Sequence, residues 1–500
     1  MNHTFHRVAA VFTAGLLATG VLAGSAGVAV AAKDSLVLGT VLEPPHLDPT
    51  AGAAAAIDEV VYANIFEGLT RIDRNGAVKP ALAESWTVSD DGLVYTFRLH
   101  QGVKFHDGTA FDSADVKFSL DRAMAEDSTN AQKGLFAPIA SVEAPDPATV
   151  VITLTQAAGN FLFNLGWGDA VIVAPESAAE NKNTPVGTGP FKFDRWVKGD
   201  RIELSRNAAY WGGAARLAAA TIKIIPDPAA ATAALLAGDV DAFANFPAPE
   251  ALPQFENDPR FTLVIGSTEG ETILAINNAR EPLNDIRVRR ALAHAIDRKA
   301  VVDGAMFGYG TPIGSHFAPH HPAYVDLTDR YPFDPEQAKA LLAEAGHGNG
   351  LTLSLKLPPP SYARRGGEVI ASQLAAIGVK TDIQQVEWAQ WLEQVFKAKD
   401  YDLTIVSHTE PMDIGIYARD DYYFNYQDAG FKALMAKLDA TVEESARYGL
   451  LAEAQQKLAE DSVNVFLFQL AKHGVWNRDV IGLWENSPVQ ANDLTEVYWQ

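Results

Sequence analysis

The chain has 500 residues and a formal net charge of −22, with 40 Lys/Arg against 62 Asp/Glu; this excludes non-specific attraction to nucleic acid or anionic lipid. Its 48% hydrophobic and 20% charged residues exclude a disordered or coiled-coil chain, and its length asks for about three domains. The absence of cysteine excludes disulfides, thiol catalysis, thiolate metal sites and a cysteine-linked lipid anchor.

Residues 1–32 begin with a short basic stretch (Arg7), continue as an Ala/Gly-diluted apolar run and close on Ala29-Val30-Ala31. That pattern predicts a secretory signal peptide, cleaved after Ala31 or Ala32, and a periplasmic mature protein. Further on, GLVYTFRLHQGVKF alternates as a strand does, with Tyr95, Phe97 and Leu99 on one face. FHDGTAFDSADV (105–116) then resembles an acid–base or metal centre in composition, yet each acid has a local role. Asp112 is placed as a helix N-cap, Asp115 as its N3 partner, and Phe111 with Val116 as a hydrophobic staple. The stretch is therefore predicted to be strand, turn and helix. ATIKIIP, TLVIG and LTLSLKL repeat the strand pattern between helical segments, which implies mixed α/β or α+β layering. In DPEQAKALLAEAG, Asp334 caps a helix, Pro335 opens it and Gly346 ends it. In the helix predicted from PLNDIRVRRALAHAI, Ile286, Arg290, Ala293 and Asp297 share one face, and Val288, Ala291, Leu292 and Ala295 form the apolar one.

The segment LAESWTVSDDGLVYTFRLHQGVKFHDGTAFDSADVKFSLDRAM (82–124) closely resembles the signature of the dipeptide/oligopeptide/nickel-type (family 5) extracellular solute-binding proteins of ABC importers. Collinear matches follow at LDPTAG (47–52), VYANIFEGLTRID (61–73), VGTGPFKFDRWVKGDRIELSRNAAYWGG (186–213), LLAGDVDAF (235–243), PLNDIRVRRALAHAIDRKAVV (282–302) and DPEQAKALLAEAG (334–346). The resemblance implies a two-lobed periplasmic-binding-protein type II fold with three domains. Domain I comprises 33–75, 186–269 and 471–500, domain II is inserted at 76–185, and domain III spans 270–470. A two-strand hinge is implied where GETILAINN and NVFLFQLAKHG cross between lobes.

SHTEPMDIGIYARDDYYFNYQ (407–427) is the most unusual segment, following the strand YDLTIV and carrying His408, Glu410, Asp413 and Tyr417. By resemblance, Asp413 stands where peptide-binding members place the acid that takes a ligand ammonium. Ile414 replaces the family's usual proline, and Glu410 is an added acid. The same resemblance makes Arg364 or Arg365 a carboxylate clamp and places Glu43, His46 and Asn245 at the cleft border. Trp391 is assigned to the core with the stripe Trp388-Leu392-Val395, whereas Trp388 is expected to face the cleft. His316, His320 and His321 lie on a proline-broken loop without fixed metal geometry, so neither metal nor cofactor is expected.

The leading function is capture of a short peptide, opine or amine-bearing solute by lobe closure and its delivery to the ABC permease, by a monomer without catalysis. The competing class is a secreted hydrolase acting on a small solute or glycoside. The chain contains no G-x-S-x-G, S-x-x-K, H-E-x-x-H or Walker A sequence.

Overall fold

The strand–turn–helix reading of 94–124 holds atom by atom. Val94–Leu99 is a strand with Tyr95, Phe97 and Leu99 buried. Ser113–Met124 is a helix whose N-cap carboxylate, Asp112, accepts from the Ala114 amide at 2.7 Å. Asp115 accepts in return from the Asp112 amide at 2.8 Å, and Phe111 and Val116 share one apolar cluster. The His106 ring pairs with the Gly189 carbonyl at 3.0 Å, and burial pulls its pKa down to about 4. The computed structural model describes residues 33–52, 54–410, 412–441 and 443–500. The predicted signal peptide lies outside the described residues.

The strands build two lobes joined by one continuous eleven-stranded sheet. In one lobe, Ser35–Thr40 pairs in parallel with Ala219–Ile224, which continues through Arg201–Arg206 to Phe191–Val197. In the other lobe, Leu351–Leu357 pairs in parallel with both Val379–Gln385 and Leu403–His408. Two long antiparallel strands, Phe261–Ile276 and Val465–Asn477, run through both lobes. Their register shifts between Ser267 and Glu271, a bulge that bends the ribbon where it leaves one lobe for the other. A separate four-stranded antiparallel sheet (Ala83–Val88, Val94–Leu99, Thr149–Leu154, Ile139–Asp146) is fastened to the first lobe, for example by the amide of His106 donating to the Gly187 carbonyl at 2.9 Å.

Helix caps follow the sequence closely. Asp334 accepts from the Glu336 and Gln337 amides, and Gly346 takes the left-handed conformation (φ +88°) just past the helix Pro335–Glu344. Two expectations need correction. The helix at Ile286–Ala295 stops before Asp297, which instead caps the next helix, Arg298–Met306. Ala293 is buried with the apolar face, and Arg289 is buried too, donating to the carbonyls of Ser462, Leu283 and Asp461. Second, Trp388–Trp391 is one α-turn that widens into a π-helix over Leu392–Lys397. The expected stripe is not buried as one face: Trp391 and Val395 are buried, whereas Trp388 and Leu392 are 41% and 46% exposed.

Candidate functional site

A cavity of about 500 Å³ lies between the lobes. One wall comes from the lobe carrying the four-stranded sheet and includes Gln132, Leu135, Asn160, Phe163, Asn164 and Trp167. The facing wall is built from Trp391, Phe396, His408, Glu410, Asp413, Arg419 and Tyr422. The two walls also touch directly. Arg447 is buried, donates to the Leu438 and Thr441 carbonyls at 2.9 Å each, and reaches across to the side-chain oxygen of Asn160.

The facing wall is positioned by the strand Leu403–His408, an apolar run paired with Phe261–Ile276 so that His408 stands opposite Glu271. Beyond the strand, Met412 takes a left-handed conformation (φ +64°) and turns the chain into the short 3-10 helix Asp413–Ala418. Asp413 thereby enters the cavity, while Tyr417 is buried beneath it, stacked on Phe424 with ring centroids 4.9 Å apart. Trp391 is fixed by its indole N–H, which donates to Thr404 Oγ1 at 2.9 Å.

The acid corner contains a buried histidine. His316 is 1% exposed, with Nδ1 2.6 Å from Glu271 Oε1 and Nε2 2.9 Å from Asp413 Oδ1. Burial alone would discharge the imidazole, but the flanking carboxylates Glu271 and Asp413 outweigh it and raise its pKa to about 10. The other Asp413 oxygen lies 3.7 Å from His408 Nδ1. His408 Nε2 is 3.0 Å from the Tyr423 hydroxyl, and burial holds its pKa below the ordinary value. Two sets, Glu271/His316/Asp413 and His408/Glu410/Asp413, bring potential metal-ligand atoms within 4.8 Å of one another.

Of the residues singled out in the sequence, His408, Glu410 and Asp413 line the cavity and Tyr417 supports it. The other six do not line it. Arg364 pairs with Glu387 at 3.1 Å, and Arg365 faces Glu250 at 3.8 Å and the Phe307 ring. Glu43 accepts from the Trp196 indole (3.0 Å) and the Gly199 amide (2.8 Å), His46 accepts from the Asp48 amide, and Asn245 is exposed. Trp388, 41% exposed, lies outside the cavity, whereas Trp391 lines it. Sequence reasoning missed Glu271, Arg419 and the whole opposing wall, and it set His316 aside as lying on a loop without fixed geometry, whereas the fold holds it buried between Glu271 and Asp413. For Glu271 a signal existed: one acid opens the apolar run ETILAI, and a buried carboxylate requires a partner.

The architecture has known counterparts. The profile "Bacterial extracellular solute-binding proteins, family 5 Middle" matches residues 77–430. The glutathione-binding protein GsiB of Escherichia coli (strain K12) is 34% identical over 398 residues, covering 77% of this chain and 76% of that protein. Among solved structures, the periplasmic binding protein DppA from Helicobacter pylori, in complex with the peptide STSA, superposes with a TM-score of 0.83 at 25% identity, covering 94% of this chain and 98% of that one. AgaA from A. tumefaciens R10, in complex with agropinic acid, gives 0.81 at 28% identity over 93% and 99%. These are solute binders of ABC importers and not enzymes, so the hydrolase alternative is set aside. The profile match over most of the chain, joined to the two-lobed sheet and its interlobe cavity, shows that this chain belongs to the bacterial extracellular solute-binding proteins of family 5.

Proposed function

We propose that the solute is a peptide-like zwitterion or amine whose ammonium group sits against Asp413 and Glu410. The observation that carries this reading is the acid corner itself. Two carboxylates line an interlobe cavity otherwise walled by aromatic, aliphatic, hydroxyl and amide side chains, with Arg419 as the cationic side chain among the lining residues. A cavity of about 500 Å³ falls within the size range of small-molecule sites and suits a short peptide. Arg419 takes the role of carboxylate partner that the sequence suggested for Arg364 or Arg365. Its guanidinium lies over the Tyr422 ring with 5.1 Å to the centroid and pairs with Asp421 at 3.2 Å, an exposed pair that a solute carboxylate would have to compete with or join.

In this reading residues 270–470 move as one lobe against 33–75, 76–185, 186–269 and 471–500, bending at the bulge between Ser267 and Glu271. The solute meets one wall, recruits the other and shifts the population to a closed form. A monomer in the periplasm then presents that closed form to the membrane subunits of an ABC importer. The test is thermal melting of the mature protein against dipeptides, reduced glutathione and opines, followed by calorimetry of the hits. Binders raise the melting temperature and are recovered chemically unchanged. A panel in which only solutes without a cationic group bind contradicts the proposal.

A further inference from the structure

The stretch 484–494 is tied down at both ends within the first lobe and touches the second lobe between them. At one end it lies on the two interlobe strands beside their bulge. Ser267 donates from its amide and its hydroxyl to Asn486 Oδ1 at 2.8 and 3.0 Å, and the Ser487 amide donates to the Ser267 carbonyl at 2.9 Å. From the other strand, the buried Lys472 donates to the carbonyls of Trp484 at 2.7 Å and Asn486 at 3.4 Å. Gly266 permits this close approach: a Cβ there would stand 1.8 Å from the Glu485 carbonyl oxygen. At the far end, the Asn64 side chain donates to the Asn492 carbonyl at 2.9 Å and accepts from the Leu494 amide at 3.0 Å. Asp493 is buried there against Arg71 at 2.8 Å. Trp484, Val489 and Ala491 share an apolar cluster with Tyr62 and Ile72, so the stretch between the anchors is held as well.

Gln490 stands between these anchors, and its side-chain amide donates to the Thr409 carbonyl of the second lobe at 3.3 Å. That carbonyl belongs to the peptide unit joining Thr409 to Glu410, inside the loop that carries His408, Glu410 and Asp413 into the cavity. Gln490 itself lies outside the cavity wall. We infer that Gln490 is a positioning residue for the solute-binding loop: mounted on a strap of the first lobe, it fixes the Thr409–Glu410 peptide of the second lobe when the lobes close. This rests on the reading that Glu410 and Asp413 receive the solute, and it adds a hold by the neutral lobe on the acid loop that asks nothing of the solute. The strap is bonded to both strands on the first-lobe side of the bulge. Bending at the bulge therefore carries Thr409 away from Gln490 while the strap stays in place. The bond exists only in the closed form and prolongs that form with or without a guest. A net contribution of the size usual for one hydrogen bond corresponds to about fivefold in its lifetime. The bond thus acts on release of the solute and not on encounter.

The test follows single molecules of the full mature chain by energy transfer between dyes on the two lobes. The chain has no cysteine, so Asp194→Cys and Lys380→Cys, exposed positions on the two end strands of the eleven-stranded sheet, take the dyes at those sites alone. Without solute, wild type should visit the closed form. Gln490→Met, which keeps the side-chain length but not the donor, should leave it about fivefold faster at an unchanged rate of closing. Gly266→Ala, which displaces the strap, should shorten the visits at least as much, and Gln490→Met decides the matter if that variant does not fold. A merely structural role for Gln490 would lower the urea midpoint and leave the visits unchanged. A wild type that never closes, or visits as long in Gln490→Met as in wild type, overturns the inference. Reduced glutathione and dipeptides are then added to both proteins. If the visits are shorter in the variant but none of these solutes prolongs them in either protein, the ammonium reading fails and the role of Gln490 stands.

Discussion

The two walls of the cavity are made differently. The wall from the first lobe offers amides and rings, Asn160, Asn164, Phe163 and Trp167, and carries no formal charge among the residues named here. The wall from the second lobe holds Glu410, Asp413 and Arg419 over a packed aromatic layer of Tyr417, Tyr422, Tyr423 and Phe424. The contrast teaches a division of labour. In the proposed function, charged recognition belongs to the second lobe, where Asp413 stands 2.9 Å from the buried His316 while Glu410 and Arg419 are exposed. The other lobe supplies neutral contacts that can be formed and released on closure without desolvating a charge each time.

That division can be broken at either wall, and the expected effects fall in order. Trp391→Ala removes a buried indole and its bond to Thr404 and should cost about 3–5 kcal/mol in stability, read by urea denaturation. Asp413→Asn should cost about 2–5 kcal/mol in binding of an ammonium-bearing solute, read by calorimetry, and should also lower the urea midpoint, because it removes one of the two carboxylates beside the buried His316. Asn160→Ala, on the neutral wall, strips the bridging partner from the buried Arg447. It should weaken binding by about 1–2 kcal/mol through the closed form, with little change in the melting point of the unliganded protein. Scattering with and without solute would show whether closure is lost. Arg364→Ala, away from the cavity on a half-exposed ion pair, should alter stability and affinity by no more than about 0.5 kcal/mol.

A pH series sharpens the same contrast. His316 titrates at about 10 in the folded protein against 6.5 ordinarily, so its contribution to stability is complete below pH 6.5 and is lost as pH rises toward 10. The urea midpoint should therefore fall over that interval more in wild type than in His316→Gln. Burial raises Asp115 to about 6 and Asp169 to about 7, which acts in the same direction at lower pH and is common to both proteins.

Much of the scaffold was legible because its signals are local. Asp112, Asp115 and Asp334 are caps whose function depends on residues two or three positions away, and they form as read. Half of the site was legible for a related reason: His408, Glu410 and Asp413 follow one strand end within six residues. The rest depends on distant pairings. Glu271 reaches His316 only through the fold, and Asn160 meets Arg447 from 287 positions away. That Trp391 and not Trp388 lines the cavity depends on which side of the turn meets Tyr423, a tertiary contact that periodicity does not give.

The central claim is an unreacted solute held by its cationic group at Asp413. Native mass spectrometry of wild type and Asp413→Asn, each isolated from the periplasm, addresses it directly. The account predicts one primary-amine solute per wild-type chain, released with its mass unchanged and absent from Asp413→Asn. A co-purifying solute without a cationic group, or one retained equally by the variant, would contradict it.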